Sequence, residues 1–375
     1  MSSLHADTPT FSDADRAMMA RALALAEQAI GLTDPNPRVG CVIVGRHGER
    51  AEGHTQAAGQ AHAEVMALRA VTGAGWSAEG ATAYVTLEPC AHHGRTPPCC
   101  DALIAAKVAR VVVGAVDANP QVCQQGIARL RAAGIEVDVG LLAHESRELN
   151  IGFFSRMERG RPWVRMKIAA SLDGRTALPD GRSQWITGEA ARADGHAWRR
   201  RAGAVLTGIG TVREDDPRLD VRLVPTARQP LRVVLDSRLQ TSPEARILQP
   251  PGEVLLIAAE PPPARLDTLR QQGVEVALRP GARGRVDLPG TLRLLAERGV
   301  NELHVEAGAE LNGALLRAGL VDELLLYLAP KLLGEGRAMA ALGTLAELAD
   351  ASTWRFVQTH LVGEDLRLLA RRSGA

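Results

Sequence analysis

The sequence has no excess of charge of either sign: 44 lysines and arginines face 43 aspartates and glutamates, for a formal net charge of +1. A chain that holds nucleic acid or an anionic membrane carries a clear basic surplus, so neither partner is expected. The run Arg199–Arg200–Arg201 reads as a solvated helix face. Long apolar stretches are missing as well, and none approaches the ~20 residues of a membrane-spanning helix. The opening residues lack a basic segment followed by an apolar one, so no secretory signal is expected. Cysteine is scarce and odd in number, with five at positions 41, 90, 99, 100 and 123. That is poor material for a disulfide framework and better material for a metal or reactive site in a cytoplasmic protein. No internal repeat is visible.

What is present fits a globular protein: 46% of the 375 residues are apolar and 23% charged. The length exceeds one ordinary core, so two domains are expected. The first eleven residues are polar and read as frayed. Apolar spacing then predicts helices over residues 13–30, 62–71, 98–107 and 126–133, alternating with strands over 40–44, 81–87, 108–116 and 135–139. This alternation indicates an α/β layer with a mostly parallel sheet. The polar break Arg159-Gly160-Arg161-Pro162 ends the pattern, which restarts with strands over 163–169, 204–207, 231–236, 253–257, 274–278, 302–306 and 324–328. Two domains follow, residues 12–159 and 160–375. The apolar strand 324–328 is open to two readings, subunit contact or core.

One constellation carries chemistry. His62-Ala63-Glu64 opens a helix, Cys90 follows a strand and a proline, and Cys99 opens the next helix. Three nitrogen and sulfur ligands suit zinc and leave a fourth position open, the arrangement of a catalytic site. Zinc lowers the pKa of water toward neutrality, and Glu64 is placed to move the proton to a departing amine. Base deaminases use this order of residues, with the glutamate outside the metal shell. Cys100, His92 and His93 compete for ligand positions at this stage. Cys41 and Cys123 read as core or surface cysteines. A closed structural zinc site, with Cys100 or His92 as fourth ligand, and a deaminase of another base, nucleoside or tRNA are the competing readings.

The segment Thr86-Leu87-Glu88-Pro89-Cys90-Ala91-His92-His93-Gly94-Arg95-Thr96-Pro97-Pro98-Cys99 resembles the signature of the bifunctional riboflavin-biosynthesis deaminase–reductase family. Asn36-Pro37-Arg38-Val39-Gly40 and Gly53-His54 are similar to further parts of that pattern. Ala61, Ala91, Ala118, Cys123 and Gln124 depart from it in loops, and none removes a ligand or the glutamate. The resemblance implies a cytidine-deaminase-like α/β/α layer domain, followed by an α/β domain similar to dihydrofolate reductase. It implies deamination of 2,5-diamino-6-(5-phosphoribosylamino)pyrimidin-4(3H)-one, with one zinc per chain, Asn36 on the pyrimidine, His54 in the pocket lining and Arg95 assisting.

The second half speaks less clearly alone. Gly208-Ile209-Gly210-Thr211 and Glu306-Ala307-Gly308-Ala309-Glu310 each follow a strand and open a helix, where backbone N–H groups can meet a phosphate. Neither completes a dinucleotide fingerprint, so a plain tight turn and a phosphate site both stand. Here too the family resemblance adds detail. Lys167 to Arg175, Ser183 to Thr187 and Thr211 to Pro217 match its reductase motifs. They imply NADPH held by Ala169, Trp185, Thr211, Asp215, Ser237 and the turn Gly308, Ala309, Glu310, Leu311, Asn312, Gly313 and Ala314. They imply a phosphoribosyl substrate touched by Ser183, Arg199, Leu219, Arg222 and Glu306, the arginines as bidentate phosphate partners. Lys167 or Asp215 is expected to assist proton transfer, and a dimer or tetramer is expected by the same resemblance.

Overall fold

The computed structural model describes residues 10–91, 97–120 and 123–373. The chain divides into two compact units, residues 1–159 and 160–375.

In the first unit the order is α1 (Asp13–Glu27), β1 (Gly40–Val44), β2 (Arg50–His54), α2 (Ala63–Gly73), β3 (Thr82–Leu87), α3 (Cys99–Ala105), β4 (Arg110–Ala115), α4 (Gln125–Ala132), β5 (Glu136–Val139), α5 (Ala143–Leu149) and α6 (Ile151–Arg159). Helix α1 starts where Ser12 and Asp15 close a capping box, each side chain bonding the other's backbone N–H, which satisfies donors that a helix start leaves free. The sheet runs β2-β1-β3-β4-β5. It is mixed rather than mostly parallel, because β1 pairs antiparallel with both β2 and β3 while β3, β4 and β5 run parallel. Sequence reading missed β2 because Arg-Ala-Glu-Gly-His carries no large apolar residue. The small Ala51 and Gly53 face inward, and a Cβ on Gly53 would meet the Ala63 carbonyl at 2.5 Å.

Strand alternation then builds both faces of a layer. Val42, Tyr84 and Val112 point to α1, where Met19, Ala22 and Leu25 close one core. Cys41, Ile43, Val85 and Val113 point the other way, into a core shared with Ala67 of α2, Leu103 of α3 and Leu130 of α4. The result is α/β/α.

In the second unit the elements are β6 (Trp163–Ser171), β7 (Arg175–Ala177), α7 (Glu189–Arg201), β8 (Ala204–Gly208), α8 (Ile209–Asp215), β9 (Leu231–Leu235), β10 (Val254–Ala258), α9 (Pro263–Gln271), β11 (Glu275–Leu278), α10 (Leu288–Glu297), β12 (Glu302–Val305), α11 (Ala309–Arg317), β13 (Glu323–Ala329), β14 (Arg337–Ala338), β15 (Trp354–Val362) and β16 (Asp365–Arg372). Nine strands form one sheet in the order β11-β10-β9-β8-β12-β6-β13-β16-β15. The seven from β11 to β13 are parallel, β16 pairs antiparallel with β13, and the edge strand β15 pairs antiparallel with β16. Strand β13 lies between β6 and β16 with Leu325 and Tyr327 fully buried. The apolar run 324–328 is therefore internal to the sheet, with Leu325 and Tyr327 in the core and Leu324, Leu326 and Leu328 partly buried on the other face. From β8 the chain proceeds to β9 on one side, whereas from β12 it proceeds to β13 on the other. The carboxyl ends of β8 and β12 thus flank a topological switch point, where open α/β sheets place ligands.

Candidate active sites

His62 is the last extended residue before α2, with φ −79° and ψ 168°. Glu64, in the first turn of α2, is buried. Cys90 leaves the end of β3, and Cys99 is the first residue of α3. These elements bring the His62 Nδ1 to 3.2 Å from the Cys99 Sγ and 3.7 Å from the Cys90 Sγ. The three ligand atoms lie within 4.8 Å of one another. A donor set of one imidazole and two thiols fits zinc with a position to spare. Cys100 lies outside this cluster, packed in the core beside Leu103 with its thiol toward Asp101. Of the two adjacent cysteines, Cys99 is the one that faces His62 and Cys90. Cys41 is core and Cys123 exposed, while His92, His93 and Arg95 lie outside the described residues.

Electrostatics agree with the geometry. Hydrogen bonding from Cys99, helped by His62 against the cost of burial, pulls the Cys90 thiol down to about 4, and Cys99 is pushed up by the same bond. Burial and the nearby Cys90 thiolate push Glu64 up to about 7, the range in which a carboxyl both takes and gives a proton at neutral pH.

A cavity of about 450 Å³ opens onto this cluster, its wall including Asn36, Glu64, Glu88, Asp117, Asn119 and Arg156. Asn36 was expected in the pocket and is there. Thr55 forms part of the wall, whereas its neighbour His54, at the end of β2, does not, and burial pushes His54 below its ordinary pKa. Sequence reasoning missed the contribution of α6, which supplies Phe153, Arg156 and Met157. Its signal was the apolar pair Phe153 and Phe154 followed by Arg156 and Arg159 in the last turn. It also missed Glu88, whose carboxylate accepts four backbone N–H groups.

In the second unit a different cluster sits at the end of β12. Arg199 of α7 grips Glu306 with both arms of its guanidinium, and its Nη1 donates to the Asp220 carbonyl at 3.0 Å. Lys167 Nζ lies 3.7 Å from Glu306 and His304 Nε2 lies 3.3 Å from it. Although burial opposes it, Arg199 and Lys167 hold the Glu306 carboxyl well below the usual range. Arg199, expected as a phosphate partner, meets Glu306 and the Asp220 carbonyl in this structure. Arg222 joins the cluster through Asp220, at 2.7 Å, and its backbone N–H donates to His196 Nδ1 at 3.1 Å. Leu219 is buried in the same loop with φ +53°. His196 and Asp220, which tie this loop to α7, carried no motif by which to find them.

Gly308 caps α11, which has no side-chain cap, and a Cβ there would lie 3.8 Å from Thr211 Oγ1. The starts of α8 and α11 therefore meet at the switch point. The free N–H donors of a helix belong to its first turn, so Gly308, Ala309, Glu310 and Leu311 are the useful part of the expected turn. Asn312 instead braces it, donating to the carbonyls of Ala307 and Met339. Gly313 is required by packing, its Cβ position being 2.1 Å from the Ala341 carbonyl, and Ala314 lies further along the helix. Asp215 ends α8, its carboxyl raised by burial and by Glu214. Ser237 follows β9, and Ala169 lies in β6. Ser183 and Trp185 stand in the segment before α7. Trp185 is exposed under the Arg192 guanidinium at 4.5 Å, and its carbonyl accepts from Lys331. Neither residue reaches the Glu306 cluster by a described contact.

Comparison with known proteins bears on both units. Residues 12–115 match the cytidine and deoxycytidylate deaminase zinc-binding region, and residues 162–368 match the RibD C-terminal domain. The chain is 48% identical to the riboflavin biosynthesis protein RibD of Escherichia coli, over 94% of this chain and 98% of that protein. Its structure is similar to that of Acinetobacter baumannii RibD, with 41% identity, a TM-score of 0.87 and coverage of 96% and 99% of the two chains. It is also similar to a diaminohydroxyphosphoribosylaminopyrimidine deaminase/5-amino-6-(5-phosphoribosylamino)uracil reductase of Thermotoga maritima, with 32% identity, a TM-score of 0.85 and coverage of 96% and 98%.

Proposed function

The chain belongs to the RibD family of riboflavin-biosynthesis proteins, and from that premise we propose how its residues divide two reactions. It is a bifunctional enzyme. The first half deaminates 2,5-diamino-6-(5-phosphoribosylamino)pyrimidin-4(3H)-one by hydrolysis. The second reduces the ribosyl group of 5-amino-6-(5-phosphoribosylamino)uracil to ribityl.

The observation that carries the deaminase assignment is the three-donor cluster with Glu64 at the wall of the same cavity. His62, Cys90 and Cys99 hold one zinc ion per chain, which when bound supplies Lewis-acid activation of water. Glu64 accepts the water's proton and returns it to the departing amine, a task that suits a buried carboxyl raised to about 7. Asn36 holds the pyrimidine, with His54 behind the wall and Arg95 as a further contact. Burial of Glu64 keeps the proton from bulk water.

In the second half, residues at the switch point would hold NADPH, which when bound would supply a hydride to the ribose carbon that bears the exocyclic amino nitrogen of the pyrimidine. Thr211, Asp215, Ala169, Trp185, Ser237 and the turn from Gly308 to Ala314 hold it. The adjacency of Thr211 and the uncapped start of α11 supports this placement, since anions favour helix N-termini. Ser183, Arg199, Leu219, Arg222 and Glu306 meet the phosphoribosyl group, with Arg199 also orienting Glu306. Lys167, 3.7 Å from Glu306, or Asp215 assists proton transfer; unchanged reductase turnover in Lys167→Met would remove the lysine from that role. The protein works in the cytoplasm as a homo-oligomer, dimer or tetramer, without nucleic acid or membrane. The exposed Phe356 and Leu361 on the edge strand β15 support association, and the near-zero net charge supports the absence of anionic partners.

The test is mass spectrometry of products from the diaminopyrimidine phosphoriboside with zinc-loaded protein. Exchange of amine for oxygen without NADPH, and a gain of two hydrogens with it, is expected. No reaction despite bound zinc would overturn the substrate assignment.

A further inference from the structure

The deaminase chemistry uses Glu64, yet a second buried carboxylate stands at the same cavity with no part in it. Glu88 is the middle residue of the run Thr86-Leu87-Glu88-Pro89-Cys90, directly after β3, and is 4% exposed. Its Oε2 accepts the backbone N–H of Asp117 at 3.2 Å and of Gln124 at 3.0 Å. Its Oε1 accepts those of Gly126 at 3.0 Å and Ile127 at 3.3 Å. These donors belong to the loop between β4 and α4 and to the start of α4, which has no side-chain cap and enters from a left-handed Gln124 at φ 62°. A carboxylate at a helix start is favoured by the helix dipole as well as by its hydrogen bonds. Here the cap comes from another element, 38 residues earlier in the chain.

Two consequences follow from where Glu88 stands. Cys90 is two residues on, and the intervening Pro89 is clamped: a Cβ on Gly126 would lie 1.9 Å from the Pro89 carbonyl. The Cys90 carbonyl is held in turn by the Cys100 N–H at 3.3 Å, and its Sγ accepts the Cys99 N–H at 3.4 Å. On the other side, the Asp117 amide that Glu88 holds begins the loop whose Asp117 and Asn119 line the cavity, with the Asn119 N–H on Asp117 Oδ1 at 2.7 Å. One carboxylate therefore ties a metal ligand and a wall of the substrate cavity to the same helix end.

We propose that Glu88 is a positioning residue of the deaminase site, setting the Cys90 thiolate for the metal and the Asp117–Asn119 wall for the pyrimidine together. The inference rests on Cys90 being a metal ligand. Residues that orient metal ligands cost about 10–100-fold in metal affinity or activity when removed.

Glu88→Gln keeps the shape and one acceptor oxygen but replaces the other with a donor facing two N–H groups. In the full chain it should release zinc to a chelator about tenfold faster than the parent, lower kcat and raise KM for deamination, and leave reductase turnover unchanged. Glu88→Ala should exceed it on each count. A brace that serves only the fold would lower the melting temperature and leave zinc release and the kinetic constants of the folded protein within twofold of the parent, which overturns the inference. If Glu88→Gln does not fold, Glu88→Asp, which keeps the charge but shortens the reach, carries the same comparison: faster zinc release supports the inference and parent-like release overturns it. A parent protein that binds no zinc overturns the ligand assignment and this inference with it, a result read before any variant is made.

Discussion

At the scale of single residues, the deaminase half depends on a few side chains whose spacing was visible and whose environment was not. His62, Glu64 and the pair Cys90 and Cys99 stand out in the sequence because few chemistries need that order. In the sequence Cys100 competes with Cys99 for the ligand position; the helix points successive side chains about 100° apart, Cys99 to the cluster and Cys100 to the core. Replacing Glu64 by Gln should lower kcat for deamination by about 10²–10⁴ while zinc content and reduction of the deaminated intermediate stay unchanged. Loss of zinc in that variant would reassign Glu64 to the metal. His196 offers a test of pH linkage in the other half. Burial, with Arg199 and Arg222 nearby, pushes it down to about 4, against about 6.5 in an unfolded chain. The folded protein therefore holds His196 neutral while the unfolded chain takes up a proton. Its contribution is complete above pH 6.5 and is lost as pH falls toward 4. Denaturation of the parent and of His196→Gln should show a stability difference that shrinks over that window, and a constant difference would refute the linkage.

At the scale of elements, strands buried on both faces were the most legible. The β-branched run Val111-Val112-Val113 has no rival reading, because each face of β4 meets a helix layer. Strands with a wet face or small inward residues were missed, among them β2, β15 and β16, since such stretches become strands only when a neighbour offers its edge. Close approach between elements was equally hidden. A Cβ on Gly40 would stand 1.9 Å from the Ala22 carbonyl, so α1 sits directly on the start of β1. Gly40→Ala should cost about 1–3 kcal/mol or somewhat more, seen as a lower urea midpoint for the first unit. An unchanged midpoint would mean that α1 moves away at little cost.

At the scale of the whole molecule, two compact units carry two chemistries with different requirements. Removal of zinc by a chelator should abolish deamination and leave NADPH-dependent reduction of the ribosyl intermediate intact, measured by loss of NADPH absorbance. Loss of both activities would show that the metal supports the fold of more than the first unit. No helix among the described residues is long and apolar enough to cross a membrane. The amino-acid sequence by itself determined the α/β class, the buried strands, the break near residue 160 and the zinc constellation, because periodicity and motif spacing are local properties of a chain. Only the tertiary structure decided that Arg199 meets Glu306, that α8 and α11 begin side by side, and that Glu88 holds a helix start 38 residues away. Those facts depend on which strand ends become neighbours, and strand order is a non-local choice made by packing.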